Sequence, residues 1–206
     1  MARREAPSDV RARRAGVLAL VAASAWLSWA VLNGITRGAL DGPRSGARAG
    51  WAWLGAGLLV ASTSLVIPAA LTLGRQLRSV APRVVPVATA AGVLSLTLWA
   101  AAVLTGWWPT GLEAGYVALS ALWWAGIAAP LRRTHPRLGI LTAVLAVAAA
   151  CDAVVTGGYG QLPGWTFPVL GGAKLPLQLL WTASVGTALA RAGSPTAETD
   201  IGPAAA

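Results

Sequence analysis

Long apolar runs that carry almost no charge limit the fold of this chain more than any other feature. The first run, residues 15–34, holds 20 residues without one charged side chain. A helix that crosses a lipid bilayer needs about 20 mostly apolar residues. Charged residues make up only 11% of the chain, less than half of the roughly 25% typical of soluble domains. This composition excludes an ordinary soluble enzyme.

Six segments are long and apolar enough to cross a membrane. They are approximately residues 15–34, 50–74, 84–106, 112–131, 138–157 and 167–190. Because the connections between them are short, neighbouring helices are expected to pack antiparallel. The sequence therefore predicts an all-α, polytopic integral membrane protein, a bundle of six transmembrane helices spanning residues 15–190.

The distribution of arginine predicts the orientation of this bundle. Twelve arginines fall in the two tails or in the connections after the second and fourth spans. Positive residues collect in cytoplasmic loops, so we expect both termini in the cytoplasm. Residues 1–14 are then a basic tail and residues 191–206 a disordered one. The exception is the first outer connection, which holds Arg37, Arg44 and Arg48.

Two further expectations concern where the protein resides. Abundant Ala, Gly and Arg with a single Lys is typical of a high-GC bacterial genome, so we expect the inner (cytoplasmic) membrane. The first span has a second interpretation, because Ala23-Ser24-Ala25 after a basic tail resembles the cleavage site of a secretory signal. The apolar run continues to Leu32, which favours a retained span; cleavage would leave five.

The rare residue types exclude several kinds of site. The chain has one Cys and one His, whereas a zinc site of Cys and His ligands needs three or four. A haem held by two His side chains is excluded for the same reason. The net charge of +9 does not indicate nucleic-acid binding, because the arginines lie between apolar runs. We expect a lipid bilayer as partner, no cofactor, no metal and no nucleic acid.

Tryptophan divides into two groups by depth in the predicted spans. One group lies at the outer ends, where an indole ring with one N–H donor suits the headgroup region. The other lies deeper, where the N–H needs a partner or the ring lines a cavity. The outer group is Trp51, Trp53, Trp107, Trp108 and Trp165, and the deep group is Trp26, Trp29, Trp99, Trp123, Trp124 and Trp181.

Three ionisable residues lie inside or at the edge of predicted spans. They are Glu113, Asp152 and Lys174, and the topology brings all three to the outer third of the bilayer. A charge inside a membrane is costly and usually has a partner or a function. Two structural interpretations remain open: Asp152 and Lys174 form an ion pair between helices, and Glu113 belongs to a capping box with Thr110.

Helical spacing extends these positions into a candidate pocket. Residues three, four or seven apart share a helix face, so one stripe runs from Lys174 through the sixth span and another from Glu113 through the fourth. We predict ligand contacts in an outward-facing pocket, with loop 157–164 as a lid and residues 167–173 unwound beside it. The predicted ligand-binding residues are Asp152, Lys174, Gln178, Trp181, Tyr116 and Trp124.

Three functions are compatible with this pattern. The leading hypothesis is binding or translocation of a small, largely apolar molecule, with Asp152 and Lys174 orienting its polar group. The first alternative is a membrane-embedded enzyme acting on an isoprenoid or other lipid, with Asp152 or Glu113 as the catalytic acid or base. The second alternative is a non-catalytic membrane assembly or regulatory partner, whose interior would be fully packed.

Overall fold

The computed structural model describes residues 7–36, 38, 40, 44, 49–106, 110–157 and 166–192. All secondary structure in these residues is helical, in six long helices. These are α1 (Pro7–Ile35), α2 (Ala49–Leu77), α3 (Val84–Thr105), α4 (Thr110–Thr134), α5 (Pro136–Gly157) and α6 (Thr166–Ala192). Among the described helices, α1 to α5 are long and apolar enough to cross a membrane. The prediction of a helical membrane bundle is confirmed.

The six helices form a closed ring in chain order. Each helix contacts the next one along the chain, and α6 contacts α1 to close the ring. In such a ring α1 lies opposite α4. The N terminus of α1 and the C terminus of α6 lie at the same end of the bundle. The α2–α3 and α4–α5 turns lie at this end as well. We call this end, which carries Arg75, Arg132 and Arg191, the arginine end, and the opposite end the pocket end.

Small residues let α1 and α6 approach closely near the arginine end. A Cβ added to Gly16 would collide with backbone atoms of Ala190 and Gly186. On the same helix, Ala15 and Ala19 are almost fully buried. In lipid, where apolar side chains gain little by leaving the solvent, close backbone approach is a main source of helix association. The contact makes α1 an integral member of the bundle.

Large aliphatic side chains fill the middle of the ring at the arginine end. Leucines from α2, α4, α5 and α6 share one core cluster with Val85 of α3. Leu131 and Leu145 are completely buried. The interior is therefore closed at this end, and the open space described below lies towards the other.

Two described residues of the first connection contact the pocket end of the bundle. Leu40 is buried, and its backbone lies against Gly55 of α2, where a Cβ would collide with it. The guanidinium of Arg44 donates to the carbonyl oxygen of Leu104 at 2.9 Å and to that of Val103. These carbonyls end α3, where the helix dipole favours a cation. The same guanidinium lies 5.0 Å from the ring centroid of Trp53.

One local prediction is wrong, and one helix is longer than its predicted span. α1 begins at Pro7, before the predicted span 15–34, with Asp9 in its first turn, where a carboxylate stabilises a helix; that residues 1–14 are a basic cytoplasmic tail stays a prediction. Residues 167–173 are not unwound, because α6 is helical from Thr166 and continues past Pro176. Breaking a helix at membrane depth would leave backbone groups without water to bind. Residues 1–6, 193–206 and 158–164 of the predicted lid lie outside the described residues.

Candidate functional site

A cavity of about 390 Å³ lies inside the ring towards the pocket end, and all six helices contribute to its wall. Its volume is near the lower end of the roughly 300–1,000 Å³ of small-molecule sites. Most of the lining is apolar or aromatic, with a few polar groups among the rings. The aromatic lining residues are Trp26, Trp29, Trp99, Tyr116, Trp123, Trp124 and Trp181, and the ionisable pair is Asp152 and Lys174.

Three indole rings form the floor of this cavity. Trp123, Trp124 and Trp181 are almost fully buried. The ring of Trp181 meets the other two edge-on, at centroid distances of 5.3 Å to Trp123 and 6.4 Å to Trp124. Edge-to-face contacts of this kind are the favoured geometry of aromatic pairs. Along the axis of α4, Trp124 lies about 21 Å from the first residue of the helix, at 1.5 Å per residue. The floor therefore lies deep in the bundle.

Two neighbours outside the floor hold its rings in place. The Trp181 Nε1–H donates to Oγ1 of Thr142 on α5 at 2.8 Å, and that hydroxyl donates to the carbonyl of Leu138 at 2.7 Å. Both polar groups of this buried contact are therefore satisfied. On the other side, the ring of Trp123 lies against Gly92 of α3, where a Cβ would collide with it. Glycine at this position lets the ring contact the helix backbone.

The polar end of the cavity contains an ion pair between two helices. Nζ of Lys174 on α6 donates to Oδ2 of Asp152 on α5 at 2.6 Å, and the two side chains are 13% and 18% exposed. Asp152 lies five residues before the end of α5, about 8 Å from it at 1.5 Å per residue. The pair gives the lining a net charge of zero, since each charge has its counterion beside it.

Hydroxyl groups hold α3 to α4 along one wall. Ser95 Oγ donates to the carbonyl of Tyr116 at 2.8 Å and lies 2.6 Å from Oγ of Ser120. The ring of Tyr116 packs on Trp99 of α3, with centroids 5.1 Å apart. On the neighbouring helix α2, Ser62 and Thr63 donate to a carbonyl of their own helix. Each of these four Ser and Thr hydroxyls therefore already takes part in a hydrogen bond within the protein.

The structure brings the six predicted ligand-binding residues together. Asp152, Lys174, Gln178, Trp181, Tyr116 and Trp124 all line the cavity. That they bind a ligand stays a prediction. The ion pair that the sequence left open as a structural interpretation is present as well.

Glu113, the other acidic candidate, occupies a different position. It lies in the first turn of α4, where the helix dipole favours a carboxylate. It does not belong to the described lining of the cavity, although it is near enough to Asp152 and Lys174 to interact electrostatically with both. Its position therefore agrees better with a role at the helix start than with one inside the cavity.

Sequence reasoning missed the contribution of the first three helices. Trp26 and Trp29 on α1, Ser62 on α2, and Ser95 and Trp99 on α3 also line the cavity. The closure of α6 onto α1 brings these helices to the site, and the hydrophobic pattern of the sequence does not reveal that contact. A signal was present, however: every tryptophan of the deep group defined above lines the cavity.

No protein-family model, no curated protein and no solved structure matches this chain. The cavity has an ion pair near its rim, hydroxyls that hydrogen-bond within the protein, and a deep floor of indole rings. Such a lining suits an apolar ligand with a small polar part.

Proposed function

We propose that this chain is a multi-pass membrane protein that binds a small, largely apolar molecule in the cavity between its six helices. The carrying observation is the cavity itself, which is walled by tryptophan rings and carries one ion pair. Apolar pockets with a few convergent polar groups are the usual form of small-molecule sites. The filled interior at the arginine end supports binding from the pocket end more than an open passage.

The two alternatives receive less support. A membrane-embedded enzyme would use Asp152 or Glu113 as its acid or base, but Asp152 already accepts a hydrogen bond from Lys174, and Glu113 is not part of the described lining. Conversion of a lipid extract that D152N abolishes would favour the enzyme. A non-catalytic assembly partner would be expected to have a packed interior, and the cavity argues against that.

We further propose that the pocket end faces away from the cytoplasm and that both termini are cytoplasmic. The described arginines support this orientation, because most lie at the arginine end. Arg44 departs from the pattern, but its charge is bound to carbonyls at the end of α3. A C-terminal fusion to green fluorescent protein should fluoresce, whereas a fusion to alkaline phosphatase should be inactive. The opposite pair of results would reverse the orientation.

A filled-cavity variant tests the binding proposal. Leu59 lines the cavity, whereas the neighbouring Leu58 is not part of its lining. Leu59→Trp should occupy the space and weaken or abolish binding, while Leu58→Trp serves as a control with the same change in composition. Binding can be measured as ligand-induced thermal stabilisation of the protein in nanodiscs, with a library of small apolar compounds. Equal binding by both variants would contradict the proposed site.

The ion pair provides a second test with the same library. D152N and K174M each remove one charge next to the cavity. If the pair orients the polar group of the ligand, both variants should bind at least about tenfold more weakly, the loss of about 1.4 kcal/mol. Unchanged binding in both would show that the pair is only structural.

A further inference from the structure

The α4–α5 turn holds three arginines and the single histidine of the chain within six residues. One residue joins the end of α4 to the start of α5. A Cβ added to Gly139 of α5 would collide with the backbone of Arg132 on α4, so the two helices are in close contact here. The turn therefore presents a compact group of basic side chains at the arginine end. Its exposed members are Arg132, Arg133, His135 and Arg137.

No carboxylate in the described part of the chain lies beside this group. The described acids are Asp9, Glu113 and Asp152, and the last two lie at the pocket end. Asp9 is in the first turn of α1, a helix that packs on α2 and α6 and not on α4 or α5. Cationic side chains that are held together repel one another. An anion bound beside the turn therefore stabilises it.

A row of exposed apolar side chains continues from this group along α5. Positions i+3, i+7 and i+10 from Arg137 share its helix face. They are occupied by Ile140, Val144 and Val147, which are 54%, 46% and 65% exposed. At 1.5 Å per residue the row extends about 15 Å from Arg137, which is half of a hydrocarbon core about 30 Å thick. Its length therefore matches one acyl chain of a membrane lipid.

The chemistry of the arginines favours a phosphate whose headgroup carries no ammonium. A guanidinium binds phosphate oxygens through paired, charge-assisted hydrogen bonds. A zwitterionic headgroup brings a positive charge that the arginines repel, whereas an anionic headgroup brings none. A soluble phosphate would satisfy the arginines but would make no use of the apolar row. The two features together fit an anionic phospholipid.

We infer that the α4–α5 turn and the adjoining face of α5 form a binding site for an anionic phospholipid. The arginines of the turn bind the headgroup phosphate, and the row from Ile140 to Val147 contacts an acyl chain. None of these residues belongs to the described lining of the cavity. The site is therefore separate from the binding site proposed above and does not depend on it.

Three probes separate the headgroup from the acyl chains. Dioleoyl phosphatidylglycerol is anionic, dioleoyl phosphatidylcholine has the same chains with a zwitterionic headgroup, and glycerol phosphate is an anionic headgroup without chains. Native mass spectrometry of the full chain in detergent gives the affinity of the first lipid that binds. We expect phosphatidylglycerol to bind at least about fivefold more tightly than phosphatidylcholine, the effect of roughly one arginine near an anionic headgroup.

A double variant with one substitution on each helix tests the arginines. Arg133→Gln with Arg137→Gln should weaken phosphatidylglycerol binding about fivefold or more and leave phosphatidylcholine binding nearly unchanged. Arg75→Gln with Arg78→Gln is the matched control, because it removes the same charge from exposed positions of the same end. The adjoining half of α2 exposes one large apolar side chain, Leu71, in place of a row. The control should keep the preference for phosphatidylglycerol.

A second double variant tests the apolar row. Ile140→Ser with Val144→Ser shortens the apolar contact without changing the charge. It should weaken the binding of both lipids by a similar factor, so that the ratio of their affinities is preserved. Because both positions are exposed, the substitutions leave the packing between helices intact. Lipid binding that is unchanged in this variant would contradict the contact with an acyl chain.

The remaining outcomes each decide one part of the inference. Equal affinity for the two lipids, or an equal loss in the two arginine variants, would overturn the site. If glycerol phosphate competes for the turn as strongly as phosphatidylglycerol does, the ligand is a soluble phosphate and not a lipid. Leu59→Trp, which fills the cavity, should leave phosphatidylglycerol binding unchanged. Loss of lipid binding in that variant would mean that the lipid occupies the cavity instead.

Discussion

The arginine end and the pocket end are built from the same six helices, but different side chains face the middle of the ring. At the arginine end, alanine and glycine bring α1 and α6 together, and leucines fill the centre. At the pocket end, indole rings and a few polar groups surround a cavity. Empty space costs dispersion contacts, and the rings of Trp123, Trp124 and Trp181 pack against one another at the floor of that space.

The comparison identifies the residues that separate the packed interior of the arginine end from the cavity of the pocket end. The Trp123–Trp124–Trp181 floor lies between the leucine-filled region and the cavity, and all three rings belong to the same core cluster as those leucines. Each ring packs against another ring of the floor, and Trp181 is anchored to α5. The floor therefore belongs to both halves: it covers the leucine-filled interior of the arginine end and lines the cavity of the pocket end.

The largest expected effect comes from removing part of that floor. Trp181→Ala should lower the free energy of unfolding by about 3–5 kcal/mol, as for other large buried aromatic residues, and should join the cavity to the packed half. Reversible unfolding in mixed detergent micelles measures the loss. Trp51→Ala is the matched control, because Trp51 is 46% exposed. Equal losses for both variants would mean that the floor does not support the bundle.

A pair of substitutions on α1 compares the two halves directly. Ala19 and Ala22 are each 1% exposed, but only Ala22 is part of the described cavity lining. Ala19→Leu should destabilise the bundle by about 1–3 kcal/mol through overpacking, whereas Ala22→Leu can extend into open space and should cost less. Thermal unfolding of both variants in one detergent decides the order. A larger loss for Ala22→Leu would contradict the contrast between the halves.

The smallest expected effect concerns the outer rim of the pocket end. Arg44→Gln removes a cation from the end of α3 and from the face of Trp53. We expect a loss of about 1 kcal/mol, since a charge at a helix end and a cation–π contact each contribute about 0.3–1 kcal/mol. Arg78, an exposed residue of the α2–α3 turn, gives the control Arg78→Gln. If both variants shift the melting temperature equally, the contact of Arg44 with α3 and Trp53 adds nothing to stability.

The helices could be predicted from the sequence because each span must be apolar over its whole length. The six predicted spans correspond to the six helices, and α3 agrees within one residue at its C terminus. The ends of α1 and α4 were predicted less well, since these helices continue beyond the apolar stretch into polar residues such as Asp9 and Arg133. Hydropathy measures the apolar core of a helix and not its hydrogen-bonded length.

The cavity was only half predictable. Spacing along one helix identifies the face shared by Lys174, Gln178 and Trp181 because i, i+4 and i+7 positions always lie together. No such rule shows that Ser95 of α3 would bind to the carbonyl of Tyr116 on α4, or that Thr142 would accept the Trp181 N–H. Such contacts depend on how helices rotate against one another, and in a chain so rich in alanine the apolar pattern does not fix that rotation.

The contact of Arg44 with the end of α3 also orders events during biosynthesis. Leu104, whose carbonyl accepts the guanidinium, is synthesised 60 residues after Arg44. At about 5–20 residues per second, the ribosome needs roughly 3–12 seconds to supply that partner. During this interval the guanidinium has no carbonyl of α3 to donate to, whereas Trp53, the ring it packs on, is already part of the chain. Arg44 can therefore bind the end of α3 only after α3 has been synthesised. The contact between the first connection and α3 forms later than the synthesis of α1 and α2.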